Sequence, residues 1–230
     1  MVGRIIIREE KGRGRIQVEY LAGLSLMTGV LYLPPGLSQR RAGRRLARLE
    51  RQLRGVGVGR VVVPEGFSGL TRLRPVDTLP FYRAVADVLV LEGLRLDGVV
   101  PKQGAVTLHG PWLCPELRRA AQRLCPLVHT LRIQVPGEGE DYARWLHQQY
   151  GLPVSPPEGP ADVTASFGPG ERGQGRVLCL YGQPELGGLR LAAQGRALPQ
   201  AWDQQLLALL WEQGAVRREE LYAPGAQAQG

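Results

Sequence analysis

The sequence predicts an α/β fold built from two successive β/α halves. Short apolar runs, typical of buried strands, alternate along the chain with longer segments whose apolar residues recur at helical spacing. The 31 glycines and 18 prolines fall mainly at the boundaries of these runs instead of forming tracts, so they indicate turns. A length of 230 residues suits one large domain or two small ones with real cores.

The first half is predicted to cover residues 1–101. Its opening runs, RIIIREE and RIQVEYLAG, are joined by the basic glycine turn KGRGR, which predicts a β-hairpin. The strand GVLYL, a helix over residues 39–55 that Ser38 can cap, and the strand RVVV then predict a β-α-β unit with a right-handed crossover. A second helix, over residues 79–94 after Thr78, is apolar on most sides and is therefore expected between two layers.

The second half is predicted to cover residues 102–222, and a flexible tail is predicted at residues 223–230. Strands and helices alternate here too. The predicted elements are strand 104–109, helix 115–125, strand 130–135, helix 140–150, strands 161–167 and 177–182, and helix 201–214. This alternation favours a sheet covered by helices.

Residues 104–181 resemble a Rossmann-type domain. They contain a strand that ends in glycine, a helix, a second strand, a helix followed by Gly151-Leu152-Pro153-Val154, and a strand that begins Ala161-Asp162-Val163. The resemblance implies a Rossmann-like second half with a mostly parallel sheet covered by helices. The whole chain is also similar to uncharacterised bacterial proteins, a resemblance that implies no activity.

The first strand–helix turn of this half departs from the dinucleotide-binding pattern. That pattern, G-x-G-x-x-G, lets the backbone approach a pyrophosphate and present amides at the helix start. Here only Gly110 is present, the bulky Trp112 is expected to fill the turn, and Pro115 lacks an N–H group. The sequence therefore predicts a degenerate phosphate loop and no cofactor, with an NAD-type nucleotide as the alternative. Gly110 and Trp112 are candidate ligand contacts in either case.

Two other glycine patterns stand in the wrong context for a phosphate loop. The literal G-x-G-x-x-G of Gly168, Gly170 and Gly173 lies between two predicted strands and not before a helix. It is interpreted as a glycine-rich hairpin or loop. The GVGVG of residues 55–59 precedes a strand instead of following one.

Cys114 and His109 are the candidate catalytic residues of an alternative interpretation, in which the protein is an enzyme. If Pro115 opens a helix, Cys114 occupies its N-cap, where the helix dipole favours the nucleophilic thiolate. His109 ends the preceding strand, at the edge where open α/β sheets bind ligands, so the pair could act there with or without a nucleotide. No metal site is predicted with Cys125 and His129, because the intervening helix separates the two cysteines by about 16 Å at ~1.5 Å per residue.

The helix segment 38–54 is rich in arginine and carries a net charge of +6. Its candidate polyanion-binding residues are Arg40, Arg41, Arg44, Arg45, Arg48 and Arg51. Such a helix can lie on phosphates, an anionic membrane surface or an acidic partner, although a solvated outer helix of an α/β domain shows the same pattern. The chain has two lysines and no asparagine, which indicates GC-rich coding and a second origin for the arginines. No aromatic residue interleaves the arginines, which argues against a platform for stacking single-stranded bases.

Asp77, Tyr82 and Arg83 are candidate ligand-binding residues in a cleft between the two halves. They are polar positions that border the apolar second helix, and polar groups on a buried helix need partners. Arg83 and Asp87 are four residues apart, so they can instead pair with each other along the helix.

The predicted class is a soluble cytoplasmic protein. Three cysteines without a recognisable export signal fit reduced thiols in a cytosol, and the longest weakly polar stretch is too short to span a bilayer. The predicted function is non-catalytic binding of a ligand or partner through the degenerate Rossmann-like domain. The alternatives are enzymatic chemistry at Cys114 and His109, and binding of nucleic acid or an acidic partner by the arginine helix. The sequence does not decide the oligomeric state.

Overall fold

The computed structural model describes residues 1–151, 159–170 and 173–224. The strands are β1 (Val2–Arg8), β2 (Arg15–Leu21), β3 (Leu24–Tyr32), β4 (Arg60–Val62), β5 (Arg74–Pro75), β6 (Ala105–His109), β7 (Thr130–Gln134), β8 (Val163–Ser166), β9 (Arg176–Cys179), β10 (Ala192–Ala193) and β11 (Leu221–Tyr222). The helices are α1 (Gln39–Gly55), α2 (Leu79–Ala84), α3 (Ala86–Leu96), α4 (Pro115–Leu124), α5 (Glu138–Tyr150) and α6 (Asp203–Glu212). Two short 3-10 helices span Pro101–Gln103 and Arg218–Glu220. None of the helices in these described ranges combines the length and the apolar character needed to cross a bilayer.

The chain folds into two compact units, each made of two segments of the sequence. The first unit contains residues 1–77 and 195–215, and the second contains residues 78–194 and those from 216 onwards. The predicted boundary between residues 101 and 102 therefore falls within the second unit. The reason is that α3 packs against β8 and α4, whereas α6 is hydrogen-bonded to the end of β4 in the first unit.

The first unit contains a five-stranded sheet in the order β2-β3-β1-β4-β5. β1, β3, β4 and β5 run parallel, and β2 is antiparallel to β3. The predicted hairpin between the first two runs is therefore wrong, because β2 pairs with β3 and not with β1. The hairpin turn is formed by Ala22 and Gly23, which both have positive φ (52° and 86°), as a tight two-residue hairpin turn requires.

Helix α1 covers one face of this sheet and has the predicted bounds of residues 39–55. Ser38 occupies the N-cap position but makes no side-chain capping hydrogen bond. Leu46, Leu49 and Leu53 are buried in an apolar cluster with residues of β1, β3 and β4. Burying each leucine contributes about 1.5–3 kcal/mol, so this stripe holds the helix on the sheet.

Close approach of α1 to the sheet depends on Gly29 of β3. A Cβ atom at Gly29 would lie 2.9 Å from a methyl carbon of Leu49, which is too close for carbon atoms. Gly29 therefore faces α1, and the alternation of side chains along β3 fixes which residues share that face.

Helix α6 is held to the first unit by polar contacts. The side-chain amide of Gln205 exchanges two hydrogen bonds with the backbone of Val63, both 3.1 Å long. Arg60 donates two hydrogen bonds to the carboxylate of Glu212, at 3.0 and 2.8 Å. This helix was predicted to complete the second half, but these contacts tie it to the first.

The second unit contains a four-stranded, fully parallel sheet in the order β7-β6-β8-β9. β6, the first strand of this sheet along the chain, lies between β7 and β8, which is a doubly wound order. Helices flank the sheet, with α5 against β7 and α3 against β8. The predicted α/β class with a Rossmann-like, mostly parallel second sheet is thus confirmed. A separate two-stranded antiparallel sheet joins β10 and β11.

The predicted helix at residues 79–94 is two helices, α2 and α3, interrupted at Val85. Val85 has a φ of −112° and a ψ of 24°, but its N–H still bonds to Phe81 and its carbonyl accepts from Leu89. The interruption is therefore a local bend with the hydrogen-bond ladder largely kept. Thr78 makes no side-chain cap to α2.

Two of the features predicted from the sequence fall partly outside the described residues. Leu152, Pro153 and Val154 of the Rossmann motif are among them, as is the tail from residue 225 onwards. Ala223, the first residue of the predicted tail, is buried, and its N–H donates to the carboxylate of Glu92 at 2.9 Å.

Candidate functional site

The carboxyl edge of the second sheet is the first place to examine for a ligand site. In open α/β sheets, ligands bind outside the carboxyl ends of the strands where the strand order reverses. That point lies between β6 and β8, where the N–H of Phe167 donates to the carbonyl of His109 at 2.8 Å. The sequence prediction that His109 stands at this edge therefore agrees with the topology.

The glycine-rich segment after β8 packs directly onto this edge. A Cβ atom at Gly168 would lie 2.3 Å from Cδ of Pro111, and one at Gly170 would lie 2.2 Å from a ring carbon of His109. β8 and β9 are parallel, so of the two predicted alternatives, a hairpin or a loop, the hairpin is excluded. The glycines of the literal G-x-G-x-x-G thus let the backbone after β8 pack directly against Pro111 and His109.

The turn from β6 to α4 differs from the prediction in one respect. Trp112 is 65% exposed, so its indole does not fill the turn. The turn is instead closed by main-chain bonds, since the N–H of Gly110 donates to Gln134 and that of Cys114 donates to Trp112. Cys114 precedes α4 at the N-cap, as expected, but it is buried and makes no side-chain capping bond.

A cavity of about 490 Å³ opens beside His109 at the carboxyl ends of β6 and β7. Gln134, Gly137 and Glu140 line it with His109, whereas Cys114 does not. The structure therefore does not bring the two candidate catalytic residues together in this cavity. No group of three or more metal-ligating side chains occurs within the described ranges. The prediction that the chain holds no cofactor stays a prediction.

Arg83 binds the chain itself. Its Nε donates to the carbonyl of Leu180 at 2.7 Å, and one terminal nitrogen donates to that of Phe167 at 2.8 Å. The guanidinium group therefore ties together the segments that follow β8 and β9. Tyr82 is buried in the same unit, whereas Asp77 is exposed and belongs to the other unit.

The predicted pair of Arg83 and Asp87 does not form. Asp87 is 1% exposed and bonds instead to Arg123, at 3.5 Å, and to Arg218. The arginines come from α4 and from the 3-10 helix near the C-terminus, so local spacing could not reveal them. Two cations compensate this buried carboxylate, and removing either one would leave buried negative charge without its full set of partners.

The arginines of α1 point to solvent. We define the arginine face as the six predicted residues together with the next arginine of the helix: Arg40, Arg41, Arg44, Arg45, Arg48, Arg51 and Arg54. All seven are exposed. Within the described part of the chain, none takes part in an ion pair with a carboxylate.

Glu50, the one acidic residue of α1, bonds to a loop and not to the arginines of this face. It is fully buried, and its carboxylate accepts from the backbone N–H groups of Thr71, Arg72 and Leu73 at 2.8–3.1 Å and from the Thr71 hydroxyl at 2.9 Å. Burial raises the pKa of Glu50, but the four donors outweigh it, and the net pKa lies below the ordinary value of 4.5. All four of these donors belong to the loop that precedes β5, so the Glu50 carboxylate holds this loop against α1.

A second cavity of about 490 Å³ adjoins the arginine face. It is lined by Arg45 and Arg48 of α1, by the carboxyl end of β3, and by the Gly12-Arg13-Gly14 turn that precedes β2. Three arginines therefore line this cavity. Glu9 and Glu10, which belong to the same β1–β2 connection as Arg13, do not line it. Its chemistry suits an anion.

The net positive charge of the chain comes entirely from the first unit. That unit contains 16 basic and eight acidic residues, a net charge of +8, whereas the second contains 13 of each and is neutral. Both units share one coding composition. A preference for arginine codons therefore explains why the basic residues are arginine, but not why the excess lies in one unit.

Comparisons with known proteins add little. No protein-family model matches the chain, and no curated protein matches it. One solved structure that it resembles is L-tryptophan dehydrogenase from Nostoc punctiforme, with a TM-score of 0.27 and 14% sequence identity. The match covers 61% of this chain and 43% of the dehydrogenase chain.

Proposed function

We propose that this protein binds nucleic acid phosphates through the arginine face of α1. The observation that carries the proposal is the confinement of the whole +8 excess to the unit that presents this face. Clustered cations with a net charge of +6 over residues 38–54 create a positive potential that attracts a polyanion and releases its counterions on binding.

The geometry of α1 supports a polymer over a small anion. The helix has 17 residues, which correspond to about 25 Å at ~1.5 Å per residue, and arginines occur along most of that length. Several phosphates spaced along a strand can contact such a row at once. Arginine also donates in a planar fork that matches phosphate oxygens.

The binding is non-catalytic in this proposal. The alternative active site lacks comparable support, because Cys114 is buried and does not line the cavity beside His109. A nucleophile has to reach its substrate and a base within hydrogen-bonding distance.

The test compares two variants of equal net charge. In the first, Arg40, Arg44 and Arg48 are changed to glutamine; in the control, three exposed arginines elsewhere, Arg74, Arg119 and Arg217, are changed in the same way. Elution from heparin and binding of a labelled DNA duplex are measured for both. We expect the first variant to elute at clearly lower salt and to show a shallower salt dependence, with each lost phosphate contact lowering the log–log slope by about 0.9. Equal behaviour of the two variants would overturn the proposal, because net charge alone would then account for retention.

A further inference from the structure

The sheet face under α1 extends beyond the helix on the side of β2. Ile16 of β2 pairs with Gly29, the residue that faces Leu49 of α1, and Ile16 packs against the α1 cluster. Side chains alternate along a strand, so Val18 and Tyr20 share the face of Ile16. These two residues are 54% and 83% exposed, respectively. An apolar strip with an aromatic ring therefore lies uncovered on the same side of the sheet as the arginines.

Three arginines lie at one end of this strip, beside the start of β2. Arg45 and Arg48 lie one turn apart on α1 and line the cavity with Arg13 of the glycine turn. The turn and α1 are both held to Tyr32, since a Cβ atom at Gly12 would lie 2.4 Å from its ring and Arg45 donates to its carbonyl at 2.6 Å. We call the space bounded by α1, this turn and the exposed part of β2 the β2 groove.

We propose that the β2 groove binds single-stranded nucleic acid, with phosphates at the three arginines and a base stacked on Tyr20. The inference rests on the proposed function and names the form of nucleic acid that is bound. An exposed ring can stack on an unpaired base, whereas a duplex keeps its bases stacked inside. Surfaces that bind single strands combine positive charge along the backbone path with aromatic side chains on which bases stack.

A short stretch of single-stranded nucleic acid is enough to span the β2 groove. Tyr20 lies five residues beyond Arg15, the first residue of β2, which is about 17 Å at ~3.4 Å per residue. The arginine cavity lies at the Arg15 end, because the lining residues Gly12, Arg13 and Gly14 immediately precede it. The groove thus places phosphate contacts at one end and the stacking surface at the other.

The sequence alone argued against such a platform, because no aromatic residue occurs among the arginines of α1. Tyr20 lies 25 residues before Arg45 in the chain and reaches the same side of the sheet only through the register of β2 with β3. The aromatic residue missing from α1 is supplied by strand pairing, which the spacing of residues along the chain does not reveal.

The experiment measures binding of two fluorescently labelled probes by anisotropy at one fixed salt concentration. The probes are a twelve-residue oligo-dT and a blunt DNA duplex with the same number of phosphates per strand. The variants are Tyr20→Ala and Tyr20→Phe, with Tyr150→Ala as the control at another exposed tyrosine. Tyr20 is solvent-exposed, so thermal unfolding should confirm that all three variants fold like the wild type.

We expect Tyr20→Ala to weaken oligo-dT binding about five- to a hundredfold, the usual range for one stacked base. Tyr20→Phe keeps the ring and should bind as the wild type does, and neither Tyr150→Ala nor duplex binding by Tyr20→Ala should change by more than about twofold. If Tyr20→Ala binds oligo-dT as well as the wild type while the triple arginine variant is weakened, the groove inference fails and the proposed function stands. If the wild type binds neither probe, both fail.

Discussion

Replacement of Glu50 by glutamine tests how much its ionised carboxylate stabilises the fold through the loop that precedes β5. Glutamine keeps the shape and one carbonyl acceptor, so the backbone donors at residues 71–73 can still be satisfied. The change removes the charge that strengthens the four hydrogen bonds. Bonds to charged groups contribute about 1.5–3 kcal/mol and neutral ones about 0.5–1.5. Since all four share one carboxylate, we expect a total loss of about 2–3 kcal/mol in the free energy of unfolding at pH 7.

The pH dependence of this loss provides the sharper test. Because the pKa of Glu50 is lower in the folded than in the unfolded protein, its contribution is complete above the ordinary value of 4.5 and is lost as the pH falls through the folded value. The wild type and Glu50→Gln should therefore differ most at neutral pH, and the difference should shrink as the pH falls below 4.5. Glu19 also has a lowered pKa, but it titrates equally in both proteins and cancels in the difference.

Urea denaturation at pH 7, 5 and 3.5 measures the difference directly. The control is Glu10→Gln, which removes the same charge from an exposed position and should shift stability by less than about 0.5 kcal/mol. A gap between wild type and Glu50→Gln that stays constant from pH 7 to pH 3.5 would refute the reasoning. The loss would then come from altered packing and not from the ionised carboxylate.

Two further predictions concern Arg83 and a pair of glycines, Gly170 and Gly43. Arg83→Met should lower the free energy of unfolding by about 2–4 kcal/mol, because it removes two charged donors from the segments after β8 and β9; an equal effect of the exposed-site control Arg119→Met in urea denaturation would contradict this. Gly170→Ala should lower the thermal midpoint, because its Cβ would overlap the ring of His109, at a cost of about 1–3 kcal/mol. Gly43→Ala, in open space on an exposed helix face, should raise the midpoint by the equivalent of about 0.5–1 kcal/mol, so an identical sign for the two glycine variants would show that local space does not decide the effect.

The features that could be predicted from the sequence are those encoded by near neighbours. The bounds of α1 follow from a stripe of leucines at helical spacing and from the glycines at its end, and the structure has the same bounds. The alternation of strands and helices likewise predicted the parallel sheet of the second unit. The exposure of the arginines follows from the same stripe, since the residues opposite a buried face lie in solvent.

The features that could not be predicted depend on contacts between distant residues. KGRGR and the Ala22-Gly23 turn are both plausible hairpin connections, and only the position of β1 in the middle of the sheet decides between them. The partners of Glu50 lie 21–23 residues further along the chain. Those of Asp87 lie 36 and 131 residues away. Sequence spacing offered Arg83 as an alternative partner for Asp87 because it detects only neighbours along a helix.

The glycines of residues 168–173 show why a phosphate-loop motif is weak by itself. Glycine is required wherever a backbone must approach another group more closely than a Cβ atom allows, and a phosphate is only one such group. Here the groups approached by the three motif glycines are Pro111, His109 and Thr164, whose nearest atoms lie 2.2–2.3 Å from a hypothetical Cβ atom. The motif and the phosphate loop therefore share a steric cause without sharing a ligand. What distinguishes them is the element that follows, because a helix start offers free amides to an anion, whereas the element that follows here is the strand β9, which pairs with β8.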